Sequence, residues 1–250
     1  HSDHFFWSPS ASLSACASLL APKGRSAVDS LVATIVGNEI SARVGLANFF
    51  EFRDYSGVLR LQCVAVAATR AKTMGLSATE SANAYALALE HCPLPKTRIS
   101  SLSTDQRAAL YSQCFQRGIE AAEAASQGAQ ANDSSAPGNP LAYTGLGHCW
   151  LTRSLAYSLQ PGHLLTRTAV EGVQEILKRH VKAANKRLRP DQVERIEIHV
   201  PAPTMALAAS LDNGPLDPAG FCADIRRQVG LLLATHDLSA ASHTPDSLET

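Results

Sequence analysis

Residues 25–76 constrain the fold more than any other stretch, because they predict two long helices rich in small side chains. In the first helix, apolar residues recur at three- and four-residue spacing and form one stripe. This stripe consists of Val28, Leu31, Val32, Ile35, Val36 and Ile40. Ser26 and Asp29 have the spacing of a capping box, so the first helix should begin there. Glu39 and Arg43 lie one turn apart and predict a structural ion pair rather than a catalytic one.

The second helix, about Gly57 to Met74, carries no charge between Arg60 and Arg70. Its many alanines would let neighbouring helices approach closely, so we expect it to be buried on most sides. Between the two helices lies the segment FFEFRDYSG, in which polar groups interrupt an apolar region. A polar break at the end of a buried helix is a good place for a functional site.

Further helices are predicted on both sides of a linker. Two more pairs have capping spacing, Ser77 with Glu80 and Ser103 with Gln106. The second pair should begin a helix from Thr104 to about Ser126. Residues 127–140 have the Ser, Gly, Asn and Pro content of a linker, so the main domain boundary is expected there.

Beyond the linker, residues 151–158 and 194–200 alternate between apolar and polar side chains, which predicts two strands. An amphipathic helix lies between them, and together they suggest a small α+β unit. Asp217 followed by Pro218 predicts the start of a last helix that runs to about Thr235.

The predicted fold class is therefore mainly α, with a large all-α helical domain and a smaller α+β lid domain. The domains are expected at 1–130 for the helical domain, at 138–205 for the lid, and at 213–250 for a C-terminal helix that returns to the helical domain.

Composition excludes several classes of function. Lys plus Arg equals Asp plus Glu, at 22 each, so nothing directs the chain to nucleic acid or to an anionic membrane. No apolar run is long enough to cross a bilayer, and no signal peptide is visible. The chain does not begin with Met, so we expect residues upstream of it. Its six cysteines include no CxxC pair, which predicts reduced thiols in a cytoplasmic protein and neither a disulfide framework nor a metal site.

No motif in the sequence is enough by itself to identify a catalytic activity, since GxSxG, HExxH and P-loop patterns are all absent from it. The run VDSLVATIVGNEISARVGLA does, however, resemble the MmgE/PrpD family helix written roughly "aLvaGyEvaaRvGla". DYSGVLRLQCVAVAATRAKTMGLS stands where that family has "GwHpTavfG...AAaAaakllGLs". Three further runs are similar to the family in order and spacing: GIEAAEAASQG, SLQPGHLLTRTAVEGVQEIL and LRPDQVERIEIHV.

The resemblance implies an active site in a cleft between the helical domain and the lid. The implied chemistry is loss of water or CO₂ from a small carboxylate, without a cofactor or metal. Such a reaction needs a base, an acid and cations that hold carboxylates. The resemblance also implies a homodimer, completed by another chain if the missing part of the longer family members lies elsewhere.

The family motifs carry over to candidate site residues one by one. The catalytic candidates are Asp3, His4, Tyr55, Ser56 and His163, and the substrate-binding candidates are Ser8, Asp54, Arg107 and Gln160. Ser8 and Ser56 stand where the family has His, whereas Arg107 and Gln160 stand where it has Lys. Asp54 is equally explained as an N-cap of the Gly57 helix.

These replacements leave three functions open. Ser56 cannot act as a general base near neutral pH, and Arg107 binds a carboxylate with two hydrogen bonds but is a poor proton donor. The chain is expected to be a lyase of the family type. The alternatives are a diverged isomerase or cyclase of secondary metabolism with altered catalytic residues, and a catalytically silent binding or assembly partner.

Overall fold

The computed structural model describes residues 11–20, 24–47, 57–94, 102–132, 144–154, 164–202, 205 and 224–236. These residues form seven α-helices: α1 (Ala11–Ser18), α2 (Ala27–Ala47), α3 (Gly57–Met74), α4 (Ala78–Glu90), α5 (Thr104–Ser126), α6 (Leu164–Ala184) and α7 (Ile225–Thr235). Short 3₁₀ helices cover Leu151–Ser154 and Pro190–Gln192. The mainly helical fold class predicted from the sequence is confirmed.

The chain divides into two compact units. The first comprises His1–Ile99 and Arg107–Ala156, and the second comprises Ser100–Gln106 and Tyr157–Thr250. The domain boundaries expected from the sequence remain predictions.

Helix α3 is the centre of the first unit, as the sequence predicts. Its side chains from Leu61 to Thr69 are all buried, and α1, α2 and α4 pack against it. Gly118 of α5 also contacts it. Three alanines in this stretch present only a methyl group each, so several helices can approach the same helix at once.

The predicted apolar stripe of α2 is only partly buried, which corrects the sequence interpretation. Val28 and Leu31 are 66% and 63% exposed. The face that contacts α3 instead carries small residues, including Ala33, Gly37 and Ser41. The physical reason is the short distance between the helices, since a Cβ on Gly37 would lie 2.7 Å from the Ala65 carbonyl oxygen. At that separation, a stripe of Val, Leu and Ile does not fit.

The three predicted capping boxes are confirmed. In each box, the serine hydroxyl accepts a hydrogen bond from the backbone N–H of the residue three positions farther along. The side chain of that residue accepts a hydrogen bond from the backbone N–H of the serine. The pairs are Ser26 with Asp29, Ser77 with Glu80, and Ser103 with Gln106. These contacts satisfy backbone donors that have no partner inside the helix.

In the second unit, α6 and α7 pack on each other around an apolar core that includes Val170, Leu177, Val229 and Leu232. The buried Thr166 hydroxyl donates to Gln228 Oε1 at 3.2 Å. Helix α7 begins at Ile225, where the Asp224 side chain accepts a hydrogen bond from the Arg226 N–H and caps the helix, and it ends at Thr235 as the sequence predicts. The predicted helix start after Asp217 lies outside the described residues.

The α+β character predicted for the lid is not supported in the described residues. Residues 194–200 form neither helix nor strand, and Leu151–Ser154 is a 3₁₀ helix. The alternation of apolar and polar side chains still determines which residues are buried. Ile198 and Val200 pack against the core of α6 and α7, whereas His199 is exposed. Alternation selects a buried face, but a strand also needs a hydrogen-bonded neighbour.

A buried ion pair ties α2 to a distant segment of the first unit. The Arg43 Nε–H donates to Glu39 Oε1 at 2.7 Å, and both side chains are buried. The remaining guanidinium nitrogens donate to the carbonyl oxygens of Thr144 and Cys149, at 2.9 and 2.6 Å. The Arg43 side chain therefore holds both ends of the segment from Thr144 to Cys149.

The Glu39 carboxylate is satisfied by the same part of the chain. The backbone N–H groups of Leu151 and Thr152 donate to its two oxygens at 3.2 and 2.9 Å. These amides open a 3₁₀ helix, and a negative charge is favourable at such an end. The predicted Glu39–Arg43 pair is confirmed, and these contacts connect α2 to residues 144–152.

We expect Glu39→Gln to lower the free energy of unfolding by about 3–5 kcal/mol, because it leaves the Arg43 charge buried without its partner. Urea unfolding followed by circular dichroism measures this change. Glu120→Gln is the control, since its pair with Arg117 is solvent-exposed and contributes at most about 1 kcal/mol. Equal effects of the two substitutions would contradict the assignment of Glu39.

Gly37→Ala should destabilise the first unit by about 1–3 kcal/mol or more, because the added methyl group would overlap Thr69 and the Ala65 carbonyl. Gly172→Ala is the matched control on α6, where a Cβ meets nothing within 4 Å. The control should instead gain about 0.5–1 kcal/mol from helix propensity. Thermal unfolding compares the two variants, and a stabilised Gly37→Ala protein would refute the close contact.

Candidate functional site

Most residues predicted to form the active site lie outside the described part of the chain. These are Asp3, His4, Ser8, Asp54, Tyr55, Ser56, Gln160 and His163, and their roles remain predictions. Arg107 is described, and it lies half-buried near the start of α5. Arg107 and the packing of α5 are therefore the parts of the candidate site that the structure describes.

Helices α3 and α5 run in the same direction, as the order of the contacts along the two helices shows. The contacting pairs are Cys63 with Cys114, Val66 with Gly118, and Arg70 with Glu123. A Cβ on Gly118 would lie 2.6 Å from the Val66 Cβ, so the helices cross closely at this glycine. Farther along, Arg70 Nη2 and Glu123 Oε1 are 3.0 Å apart.

This register sets the level of Arg107 along α3. Arg107 precedes Cys114 by two helical turns, about 10 Å along the axis. Gly57, the first residue of α3, precedes Cys63 by a similar step of six residues, about 9 Å along the axis. Residue 107 thus lies near the level of the N-terminal end of the central helix, where the first backbone N–H groups and the helix dipole favour a negative charge.

Tyr111 follows Arg107 by one turn on the same helix and is half-buried. Burial raises the pKa of its phenol, while the positive charge of Arg107 acts in the opposite direction. The Tyr111 phenol is therefore protonated at neutral pH and can donate a hydrogen bond. Sequence reasoning missed this residue; its i,i+4 spacing from Arg107 was the available signal.

Three cysteine side chains meet in the core of the first unit. Cys63 of α3 and Cys114 of α5 are fully buried, and Cys92, just after α4, is half-buried. Their sulfur atoms all lie within 4.8 Å of one another. We call Cys63, Cys92 and Cys114 the thiol cluster. The sequence predicts no such group, because the three residues are far apart along the chain and only helix packing brings them together.

The three thiols differ in the direction in which their pKa values are shifted. Hydrogen bonds from Cys114 and Cys63 lower the pKa of Cys92, aided by the nearby positive charge of Arg60. The pKa of Cys63 is raised by its hydrogen bonds to Cys114 and Cys92 and by burial. For Cys114, the hydrogen bond with Cys63 acts downward, but the one with Cys92 and burial raise its pKa. Of the three thiols, Cys92 is therefore the one that ionises most readily.

A surface cavity of about 360 Å³ lies where α2, α3 and α4 meet. Its lining includes Arg25, Lys72, Asp29 and Tyr85. Hydrogen bonds from the backbone and hydroxyl of Ser26 lower the pKa of Asp29, and the charges of Arg25 and Lys72 add to this effect. Asp29 is therefore ionised and offsets one of the two cations. Such a cavity lacks the positive charge that a substrate with several carboxylates needs.

Comparison with known families identifies the class of protein to which this helical array belongs. The MmgE/PrpD N-terminal domain matches residues 1–140, more than half of the chain. The chain belongs to the MmgE/PrpD family, and the resemblance in its sequence is confirmed. No curated protein matches it. In the described part of the chain, no helix has both the length and the apolar character needed to cross a membrane.

Proposed function

We propose that this chain is a lyase of the MmgE/PrpD type that removes water or CO₂ from a small carboxylate metabolite. Family membership supports the class of reaction. The observation that supports the proposal best is the register of α3 and α5, from which we infer that residue 107 lies near the level of the N-terminal end of α3.

Arg107 binds substrate in this proposal and transfers no proton. Its guanidinium stays charged at all physiological pH values and matches a carboxylate with two parallel N–H donors. The end of α3 adds donors and positive potential on the same level. Tyr111, kept neutral by burial, supplies a phenol donor one turn farther along.

Proton transfer is assigned to other candidates. Loss of water requires a base that removes a proton beside a carboxylate and an acid that protonates the leaving hydroxyl; loss of CO₂ requires an acid for the resulting carbanion. The acid and base candidates remain Asp3, His4, Tyr55 and His163. Ser8, Asp54, Ser56 and Gln160 are proposed to contact substrate, with Ser56 as a hydrogen-bonding hydroxyl rather than a base.

A diverged reaction is the second candidate function, and the serine at position 56 favours it. Where the family motif has an imidazole, a hydroxyl has no useful proton affinity near neutral pH. An isomerase or cyclase could use the same anion-binding Arg107 without expelling a group. A silent binding or assembly partner would bind substrate or a second chain without turnover.

The binding role of Arg107 is tested by Arg107→Gln, with Arg117→Gln as the control on the same helix. Arg117 is exposed and pairs with Glu120, so its loss should leave ligand binding unchanged. Loss of a charged bidentate contact should weaken binding of cis-aconitate about 10- to 100-fold. Isothermal titration calorimetry measures this affinity. Equal affinity of wild type and Arg107→Gln would refute the role.

The reaction itself is tested by incubating the chain with cis-aconitate or 2-methylcitrate and following the products by mass spectrometry. A lyase produces a species that has lost water or CO₂, and Arg107→Gln should slow its appearance. Deuterium uptake from D₂O, or rearrangement without loss of mass, would favour the isomerase instead. Binding with no product and no exchange would favour a silent partner.

A further inference from the structure

The thiol cluster has no part in the proposed carboxylate chemistry, yet its geometry is specific. Each cysteine comes from a different part of the first unit: the middle of α3, the segment after α4, and the middle of α5. Three sulfur atoms from separate elements converge within 4.8 Å. Thiolates in such an arrangement are typical ligands of thiophilic metal ions.

We propose that Cys63, Cys92 and Cys114 bind one divalent thiophilic metal ion, with Zn²⁺ as the preferred ion. This site goes beyond the proposed lyase function and does not depend on it. One ion bound there would join α3, α5 and the segment just after α4.

The distances suit a metal ion of this kind. Zinc–sulfur bonds are about 2.3 Å long, so three sulfur atoms around a tetrahedral ion lie roughly 3.8 Å apart. The described sulfur atoms, within 4.8 Å of one another, need to move by about 1 Å or less. Cys92 is half-buried, so the site is open on its side and a water molecule can supply the fourth ligand.

The charges around the cluster favour a divalent ion. Each thiol releases its proton to solvent as its sulfur binds the ion, so three thiolates and Zn²⁺ carry a net charge of −1. The Arg60 guanidinium lies close enough to act electrostatically on Cys92 and offsets this charge. A monovalent ion would leave a larger negative charge in an apolar core, where charge is costly.

The surroundings exclude water from two of the three sulfurs. Cys63 and Cys114 belong to the main core cluster, together with Leu59, Leu87 and Ala88. An apolar shell of this kind strengthens metal–thiolate bonds and protects the thiolates from oxidation. Metal binding would replace the weak contact of the Cys92 thiol with the Pro93 carbonyl, 3.8 Å away, and the hydrogen bonds among the three thiols.

The test uses the whole chain, reduced and freed of metal, and titrates it with Co²⁺ and then Zn²⁺. Co²⁺ should bind with one-to-one stoichiometry and give ultraviolet thiolate-to-metal charge-transfer absorption, which Zn²⁺ then abolishes by displacement. X-ray absorption of the Zn²⁺ form should show three sulfur ligands at about 2.3 Å.

Cys92→Ala is the informative variant, because Cys92 is half-buried and its truncation disturbs the core least. Removing a direct ligand should weaken Zn²⁺ binding more than about 100-fold, which exceeds the effect of removing a residue that only hydrogen-bonds to a ligand. Cys149→Ala is the matched control: this cysteine is free and exposed, and its loss should leave the affinity unchanged. Circular dichroism verifies that both variants keep the wild-type helix content.

Three results would overturn the proposal. The first is absence of the charge-transfer absorption in reduced wild type. The second is equal Zn²⁺ affinity of Cys92→Ala and wild type. The third is tight binding of monovalent copper without Zn²⁺ binding, which would remove the assignment to a divalent ion.

Discussion

The close approach of neighbouring helices to α3 is the constraint on which the rest of the first unit depends. Small side chains bury little apolar surface each, so an alanine-rich helix is stabilised mainly by dense contact with its neighbours. Gly37 of α2 and Gly118 of α5 make that contact possible from two directions. The register of α5, and with it the level of Arg107, follows from the second of these crossings.

The buried Glu39–Arg43 pair shows the same dependence on the core. Two ionised groups in a low-dielectric interior are tolerated only if their remaining hydrogen-bonding capacity is satisfied. Here that capacity is met by backbone groups of residues 144–152, more than 100 positions away in sequence. The pair therefore fixes a segment that buries little of its own apolar surface, since Leu146 and Trp150 are exposed.

The chemistry proposed for the chain separates binding from proton transfer. Arginine at position 107 keeps a permanent positive charge, which favours retention of a carboxylate anion but gives no proton donor. Serine at position 56 removes an imidazole from the family pattern. The family's anion recognition is thus easier to retain in this chain than its acid–base chemistry, and the proposed metal site is separate from both.

The sequence predicted those parts of the fold that depend on neighbouring residues. Capping pairs placed the starts of three helices, and the uncharged, alanine-rich run identified α3 as the buried helix. The Glu39–Arg43 pair followed from one-turn spacing. Each of these features is set by local geometry and local hydrogen bonds, which the sequence carries directly.

The errors arose where partners decide the outcome. Periodicity identified an apolar stripe on α2, but the distance to α3 selected the opposite, small-residue face. Alternation at 194–200 predicted a strand that has no hydrogen-bonded neighbour among the described residues. The thiol cluster joins residues that no spacing rule connects. Local structure was determined by the sequence alone, whereas burial, register and the meeting of distant side chains were decided by tertiary packing, since they depend on distances between elements.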